Sequence, residues 1–209
     1  KQRLSLVDAD GNRLIVLRAD KFGQVHYSYI ANQLGEFPTG NGNVLPTSDG
    51  YPVRPGEGYT VRNEDTTPVQ VSEPFTIRAL DDHPSASFYA KEKGKIGPTG
   101  DDTTWFGYLT MRDGVQLSIN VRLPGPVDKG PYPTLVEYSG YGPSQPGTTP
   151  QEAQLYPYLG YVVVGVNLRG TACSGGAFWF FEDAVRTDGY DVIETLAQQS
   201  WSDGNVGMV

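Results

Sequence analysis

The chain has 209 residues and a formal charge of −8, from 16 Lys+Arg against 24 Asp+Glu. With 38% hydrophobic and 11% aromatic residues it has the material for a core, which excludes an acidic disordered tail, and its acidity excludes a basic nucleic-acid binder. One cysteine, Cys173, excludes an internal disulfide framework and a multi-cysteine zinc site; two histidines leave little for a His-rich metal centre, and the longest apolar run, residues 161–166, is too short to span a bilayer.

In chain order, two apolar stretches at 4–7 and 14–17 flank Asp8-Ala9-Asp10-Gly11-Asn12, whose Asp-Gly pair tolerates positive φ, and this predicts a β-hairpin. Short segments rich in β-branched and aromatic residues follow at 25–30, 59–62 and 75–78, separated by Gly/Pro/Asn clusters at 38–46 and 50–58. Short strands with turn punctuation and no long helical period predict a β-sandwich of immunoglobulin or fibronectin-III type. Residues 91–102 carry charge and turn formers but almost no apolar side chains, which places a boundary there: a β-sandwich module over 1–100 and a second domain over 101–209.

Beyond the boundary the pattern changes. Residues 105–111 and 115–123 read as strands joined by Arg112-Asp113-Gly114, and 132–137 as a third. Residues 151–159, after Pro150, read as a short helix, and 161–166 is apolar on both faces, as a central parallel strand should be. Over 188–199, Tyr190 or Val192, Ile193, Leu196 and Ala197 recur at helical spacing, with Asp188 as N-cap, and 205–209 begins another strand. This alternation predicts an α/β sheet.

Several kinds of chemistry fail on the residues themselves. Gly140-Tyr141-Gly142 supplies G-x-G, but Gln145 stands where a third glycine belongs, and no phosphate-binding G-x-x-x-x-G-K-[ST] occurs. Asp8-Ala9-Asp10-Gly11 starts like a calcium loop, yet its glycine comes early and no acidic residue closes it. Cys173 sits in a Gly-rich loop with no base beside it; His26 falls in a strand and His83 in the first domain. No G-x-S-x-G occurs.

The order of segments nonetheless resembles one family. Residues 108–117 (Tyr-Leu-Thr-Met-Arg-Asp-Gly-Val-Gln-Leu) resemble the strand that opens the catalytic domain of the X-Pro dipeptidyl-peptidase (S15) and cocaine-esterase-like α/β-hydrolases. Residues 133–141 resemble the next strand, with its loop ending in tyrosine, and 164–170 the family's "vnvRG" segment. Residues 188–194 and 201–208 resemble its "DgyDviE" and "WsdGkVGm" runs. The resemblance implies the first part of an α/β-hydrolase domain that stops just before the nucleophile elbow, so that the serine and the later Asp and His fall beyond Val209 and the 209-residue chain alone is inactive. It also implies that Tyr141 lends its phenol to the oxyanion hole, although Tyr138 competes for that alignment.

Arg169 is expected to bridge its loop to Asp188 or Asp191, and the aromatic run Phe178, Trp179, Phe180 and Phe181 to pack or to help line an acyl pocket. The implied chemistry is acyl transfer to water on a small acyl ester, amide or short Xaa-Pro peptide, with no metal or organic cofactor, no nucleic acid and no membrane partner. An extracytoplasmic or secreted location is expected. The alternative is a non-catalytic binding or interaction protein, whose sandwich presents Tyr27, Tyr29, Tyr51 and Tyr59 to a glycan or protein.

Overall fold

The structure, a computed structural model, describes residues 2–21, 23, 25, 53–79, 81–99, 101, 103–146, 151–178 and 183–209. The chain divides into two compact units, Lys1–Asp82 with Phe181–Asp183, and His83–Phe180 with Ala184–Val209. In the first, β1 (Arg3–Val7) and β2 (Arg13–Arg18) form the hairpin that the turn residues predict. Gly11 takes φ 84°, and Asp8 Oδ1 closes the turn by accepting the Asp10 and Asn12 amides at 3.0 and 2.7 Å.

β3 (Gly56–Asn63) runs antiparallel along the other side of β1, with Val61 opposite Leu6. β4 (Gln70–Val71) and β5 (Phe75–Ile77) both pair with β3, giving the order β2-β1-β3-β4 with β5 also on β3. Leu6, Val7, Ala19 and Tyr59 are buried here. An immunoglobulin-type sandwich needs two facing sheets, and the described residues of this unit form one. The strand expected at 25–30 lies, from residue 26 onward, outside the described residues.

The second unit opens with α1 (Ala86–Ala90) and β6 (Gly97–Pro98). Tyr89 Oη donates to Asp191 Oδ1 at 2.9 Å, and Glu92 Oε2 accepts the Thr110 amide at 3.3 Å, both within this unit. The described part of the charged stretch 91–102 therefore belongs to the second unit, with Glu92 and Ile96 buried and Gly97–Pro98 in β6, and the two units part at 82/83 rather than at 100/101. β7 (Thr104–Thr110) and β8 (Gln116–Arg122) form the expected hairpin, with Gly114 at φ 85°.

β9 (Tyr132–Ser139), α2 (Gln151–Leu155), β10 (Val162–Asn167), α3 (Asp183–Ala197) and β11 (Ser202–Met208) complete the unit. The helix expected over 151–159 is shorter. Pro157 lacks the amide hydrogen that an α-helix would use, and Tyr156–Leu159 closes as a 3₁₀ turn ended by Gly160 at φ 87°. α3 starts at Asp183, so Asp188 lies inside it rather than capping it.

The sheet order is β11-β9-β10-β8-β7-β6, with β9, β10 and β11 parallel and β10 buried at every position. Leu117, Ile119 and Val121 of β8, Val136 of β9 and Val162, Val164 and Val166 of β10 share one core with Val192 and Leu196 of α3 and with Trp201. The connection from β9 to β10 steps one way along the sheet, and that from β10 to β11 steps back past β9. Right-handed crossovers running in opposite directions place their helices on opposite faces, so the loops leaving β9 and β10 part at the carboxyl edge. Open α/β sheets take ligands at such a reversal. Among the described residues no helix is long and apolar enough to cross a membrane.

Candidate active site

Asn167 ends β10 beside Ser139, and Met208 ends β11 beside Val136, so the carboxyl ends of the three parallel strands share one edge. The chain leaving β9 there carries Tyr141, which is 99% exposed. Its amide donates to Ser139 Oγ at 3.4 Å, and Ser139 Oγ donates to Glu137 Oε1 at 3.1 Å. Burial pushes the Glu137 carboxyl up; the Ser139 hydrogen bond opposes this and the nearby Glu152 adds to it.

Gly142, at φ 88°, turns the chain, with the Gln145 amide donating to its carbonyl at 3.1 Å. Beneath the turn, a Cβ on Gly165 would stand 2.3 Å from the Pro143 carbonyl oxygen, so the loop backbone rests directly on β10. The Ser144 amide donates to Asn167 Oδ1 at 3.2 Å. An anchored backbone thus presents the phenol outward. Tyr138 is placed differently: its hydroxyl donates to the Val185 carbonyl at 2.9 Å and its ring packs against the core and Gly189. Of the two tyrosines that compete for the oxyanion role, only Tyr141 faces out.

Two ion pairs tie the neighbouring loops to α3. Arg169 grips Asp188 through Nε at 2.7 Å and Nη2 at 2.6 Å, and reaches Asp113 with Nη1 at 2.8 Å. Arg112 holds Asp191 through Nη2 at 2.7 Å and its own amide at 3.1 Å, and Tyr89 adds its hydroxyl. Both aspartates are fully buried.

Burial pushes the Asp188 carboxyl up to about 6, with the Arg169 hydrogen bonds pulling it down. Burial opposes the Arg169 charge too, but its bonds to Asp188 and Asp113 outweigh that and hold the guanidinium above its ordinary value. Burial, then the Asp191 carboxylate, raise the Tyr89 phenol. Arg169 makes the structural bridge expected of it, to Asp188. The Arg112–Asp191 pair and the Asp113 contact are not evident from the sequence, because their partners lie 79 and 56 residues apart.

Other candidates take quieter roles. Cys173 is an exposed free thiol. His83 belongs to the second unit, not the first; its ring stacks on Tyr190 at 3.9 Å, with Nδ1 3.4 Å from Arg112 Nη2. His26, Tyr27, Tyr29, Tyr51, Trp179, Phe180 and Phe181 lie outside the described residues. Tyr59 is buried, with its hydroxyl on the Arg54 carbonyl at 2.7 Å, and offers no docking surface. Among the described residues no cluster of three His, Cys, Asp or Glu side chains is placed to hold a metal. Ser118, Ser144, Ser174 and Asn167 form a polar cluster under the Tyr141 loop that motif reading misses. Its one trace in the sequence is a lone serine, Ser118, inside the apolar run of β8.

A mixed sheet with three parallel strands and a tyrosine loop at its carboxyl edge is an α/β architecture. More particularly, residues 113–209 match the family described as X-Pro dipeptidyl-peptidase (S15 family).

Among solved structures the chain is similar to a CocE/NonD family hydrolase from Staphylococcus aureus, with 30% identity and a TM-score of 0.43 over 50% of this chain and 22% of that one. It is also similar to an alpha-amino acid ester hydrolase, with 24% identity and a TM-score of 0.40 over 55% of this chain and 23% of the other. For an acetyl xylan esterase from Paenibacillus sp. R4 the values are 16% and 0.46, over 59% of this chain and 48% of that enzyme. The chain thus spans less than a quarter of the first two hydrolases. Curated protein sequences give no match.

Proposed function

We propose that this chain supplies the oxyanion tyrosine and the first half of the sheet of a serine hydrolase that cleaves a small acyl ester, an amide or an Xaa-Pro peptide. In the S15-like family the nucleophilic serine sits on the turn after the strand that β11 matches, which assigns it to positions following Val209, with the histidine and carboxylate later still. The serine Oγ attacks the carbonyl carbon, its proton passes to the histidine, and the carbonyl π electrons move onto oxygen. Tyr141 Oη–H donates to that oxyanion, together with the backbone amide after the serine. Collapse then expels the alcohol or amine, which takes the proton from the histidine, and water repeats the sequence on the acyl-enzyme.

The observation that carries this reading is the position of Tyr141: exposed, on an anchored loop, at the carboxyl edge shared by β9 and β11. A donor fixed in advance, where charge develops, stabilises the transition state without reorganisation. The test uses a fluorophosphonate probe and a chromogenic acyl ester on the polypeptide extended past Val209. Labelling of a serine shortly after 209, ester turnover, and no labelling of 1–209 alone are expected. Labelling within 1–209, or no turnover and no labelling of the extended polypeptide, contradicts the proposal.

A further inference from the structure

Four polar residues beneath the Tyr141 loop have their protons ordered by elimination. Ser174 has a single hydroxyl proton, and it goes to the Asn167 main-chain carbonyl at 2.8 Å. Ser174 Oγ also accepts the Ser118 amide at 2.9 Å and lies 3.3 Å from Ser118 Oγ. With the Ser174 proton committed, the proton between those hydroxyls comes from Ser118. That leaves Ser118 Oγ to accept in its 2.6 Å bond with Ser144, so Ser144 donates.

The Ser144 amide donates to Asn167 Oδ1 at 3.2 Å. A donor chain therefore leaves the Ser144 hydroxyl, passes through Ser118 and Ser174, and ends on the Asn167 backbone, while the Ser144 amide donates separately to the Asn167 side chain. Two donor paths thus leave Ser144, one through its hydroxyl and one through its amide, and both end on Asn167. Ser118, Ser144 and Asn167 are fully buried. Asn167 Nδ2 is buried without an acceptor among the described residues, so the Ser144 amide alone sets which way this side-chain amide points.

The ring joins β8, the loop after β9, the end of β10 and the loop after β10. Tyr141 lies three positions before Ser144, and its ring is 99% exposed, with no hydrogen bond or ring contact among the described residues. We propose that the Asn167–Ser144–Ser118–Ser174 ring is a positioning device that sets the place and direction of the Tyr141 phenol; its catalytic effect rests on the serine-hydrolase reading above. These four are positioning residues: none touches substrate. A hydroxyl that must meet a transient oxyanion within hydrogen-bond distance loses effect when its loop drifts by about 1 Å. A loop tied to the end of β10 by two hydrogen-bonded routes, one of them a chain of hydroxyls that polarise one another, resists that drift better than a single bond does.

The test, in the polypeptide extended past Val209, is Ser118→Ala, which removes the middle link and keeps the Ser144 amide bond, alone and combined with Tyr141→Phe. Ser118→Ala alone should lower kcat roughly tenfold with KM unchanged, the size of one hydrogen bond's contribution. In the Tyr141→Phe background it should change kcat less than about twofold, because the group being positioned is gone. An equal loss in both backgrounds, or no loss in either, overturns the proposal. Amide hydrogen exchange supplies a readout independent of turnover: Ser118→Ala should speed exchange at residues 141–145 roughly tenfold and leave β9 and β10 unchanged. If the protein hydrolyses no ester or amide, the function above fails, and this exchange measurement alone decides the ring: faster exchange supports it and unchanged exchange overturns it.

Discussion

Arg169→Met removes the guanidinium that meets Asp188 at 2.6 and 2.7 Å and Asp113 at 2.8 Å, and replaces it with an apolar chain of similar length. Asp113, with its side chain 44% exposed, can turn to water; Asp188, at 0%, cannot. The variant therefore leaves an uncompensated buried carboxylate, a change that costs about 3–5 kcal/mol. At roughly 2–4 °C per kcal/mol for a chain of this size, Tm falls by about 6–20 °C.

The cost depends on pH, with a definite sign. Burial already raises the Asp188 carboxyl from 3.8 to about 6, so its ionisation opposes folding, fully above about pH 6 and not at all below about pH 4. Without Arg169 the folded-state value rises further, and the variant loses stability as pH climbs through a higher window. The deficit relative to wild type is thus larger at pH 8 than at pH 5. Urea unfolding followed by the fluorescence of the buried Trp105 and Trp201 measures it at both values. Adding Asp188→Asn should restore at least about 2 kcal/mol at pH 8, since it removes the stranded charge. A cost under about 1 kcal/mol at pH 8, or a double variant no more stable than the single one, refutes the reasoning.

Gly165→Ala should displace the 140–146 loop, because the new Cβ would stand 2.3 Å from the Pro143 carbonyl oxygen, backbone that has no rotamer to escape into. We expect a loss of about 1–3 kcal/mol by urea unfolding, and faster amide exchange in the loop. Tyr138→Phe removes the bond to the Val185 carbonyl at 2.9 Å and should cost about 1 kcal/mol of stability while leaving turnover of the extended polypeptide within about twofold. A large kcat loss there would move the oxyanion role from Tyr141 to Tyr138.

What the sequence discloses follows the range of each signal. The β1–β2 hairpin is legible because Asp8 and Gly11 act on their own neighbours, and β10 is legible because a Val run interrupted only by Gly165 needs no partner to be recognised. Pro157 could have shortened the predicted helix, since the missing amide is written in the residue itself. The two aspartates of α3 are different. Their arginines stand 19 and 79 residues away in sequence, and which arginine meets which aspartate is decided by the crossover that brings β10 and the β7–β8 turn to the same helix. The serine ring is harder still. Ser118, Ser144 and Ser174 come from three different elements, and in each the hydroxyl reads alone as an ordinary small polar residue. The division of the chain is obscured in the sequence for a similar reason: the polar stretch 91–102 reads as a boundary, but buried Tyr89 and Glu92 belong to the second unit.

Tyr141→Phe in the polypeptide extended past Val209 tests the central claim most directly, because it removes one hydroxyl from an exposed side chain and leaves the fold untouched. With a chromogenic acyl ester, kcat should fall by about 10²–10³-fold, with KM within about twofold, as for an interaction made only in the transition state. A Tyr141→Phe enzyme that keeps kcat within about threefold of wild type contradicts the account.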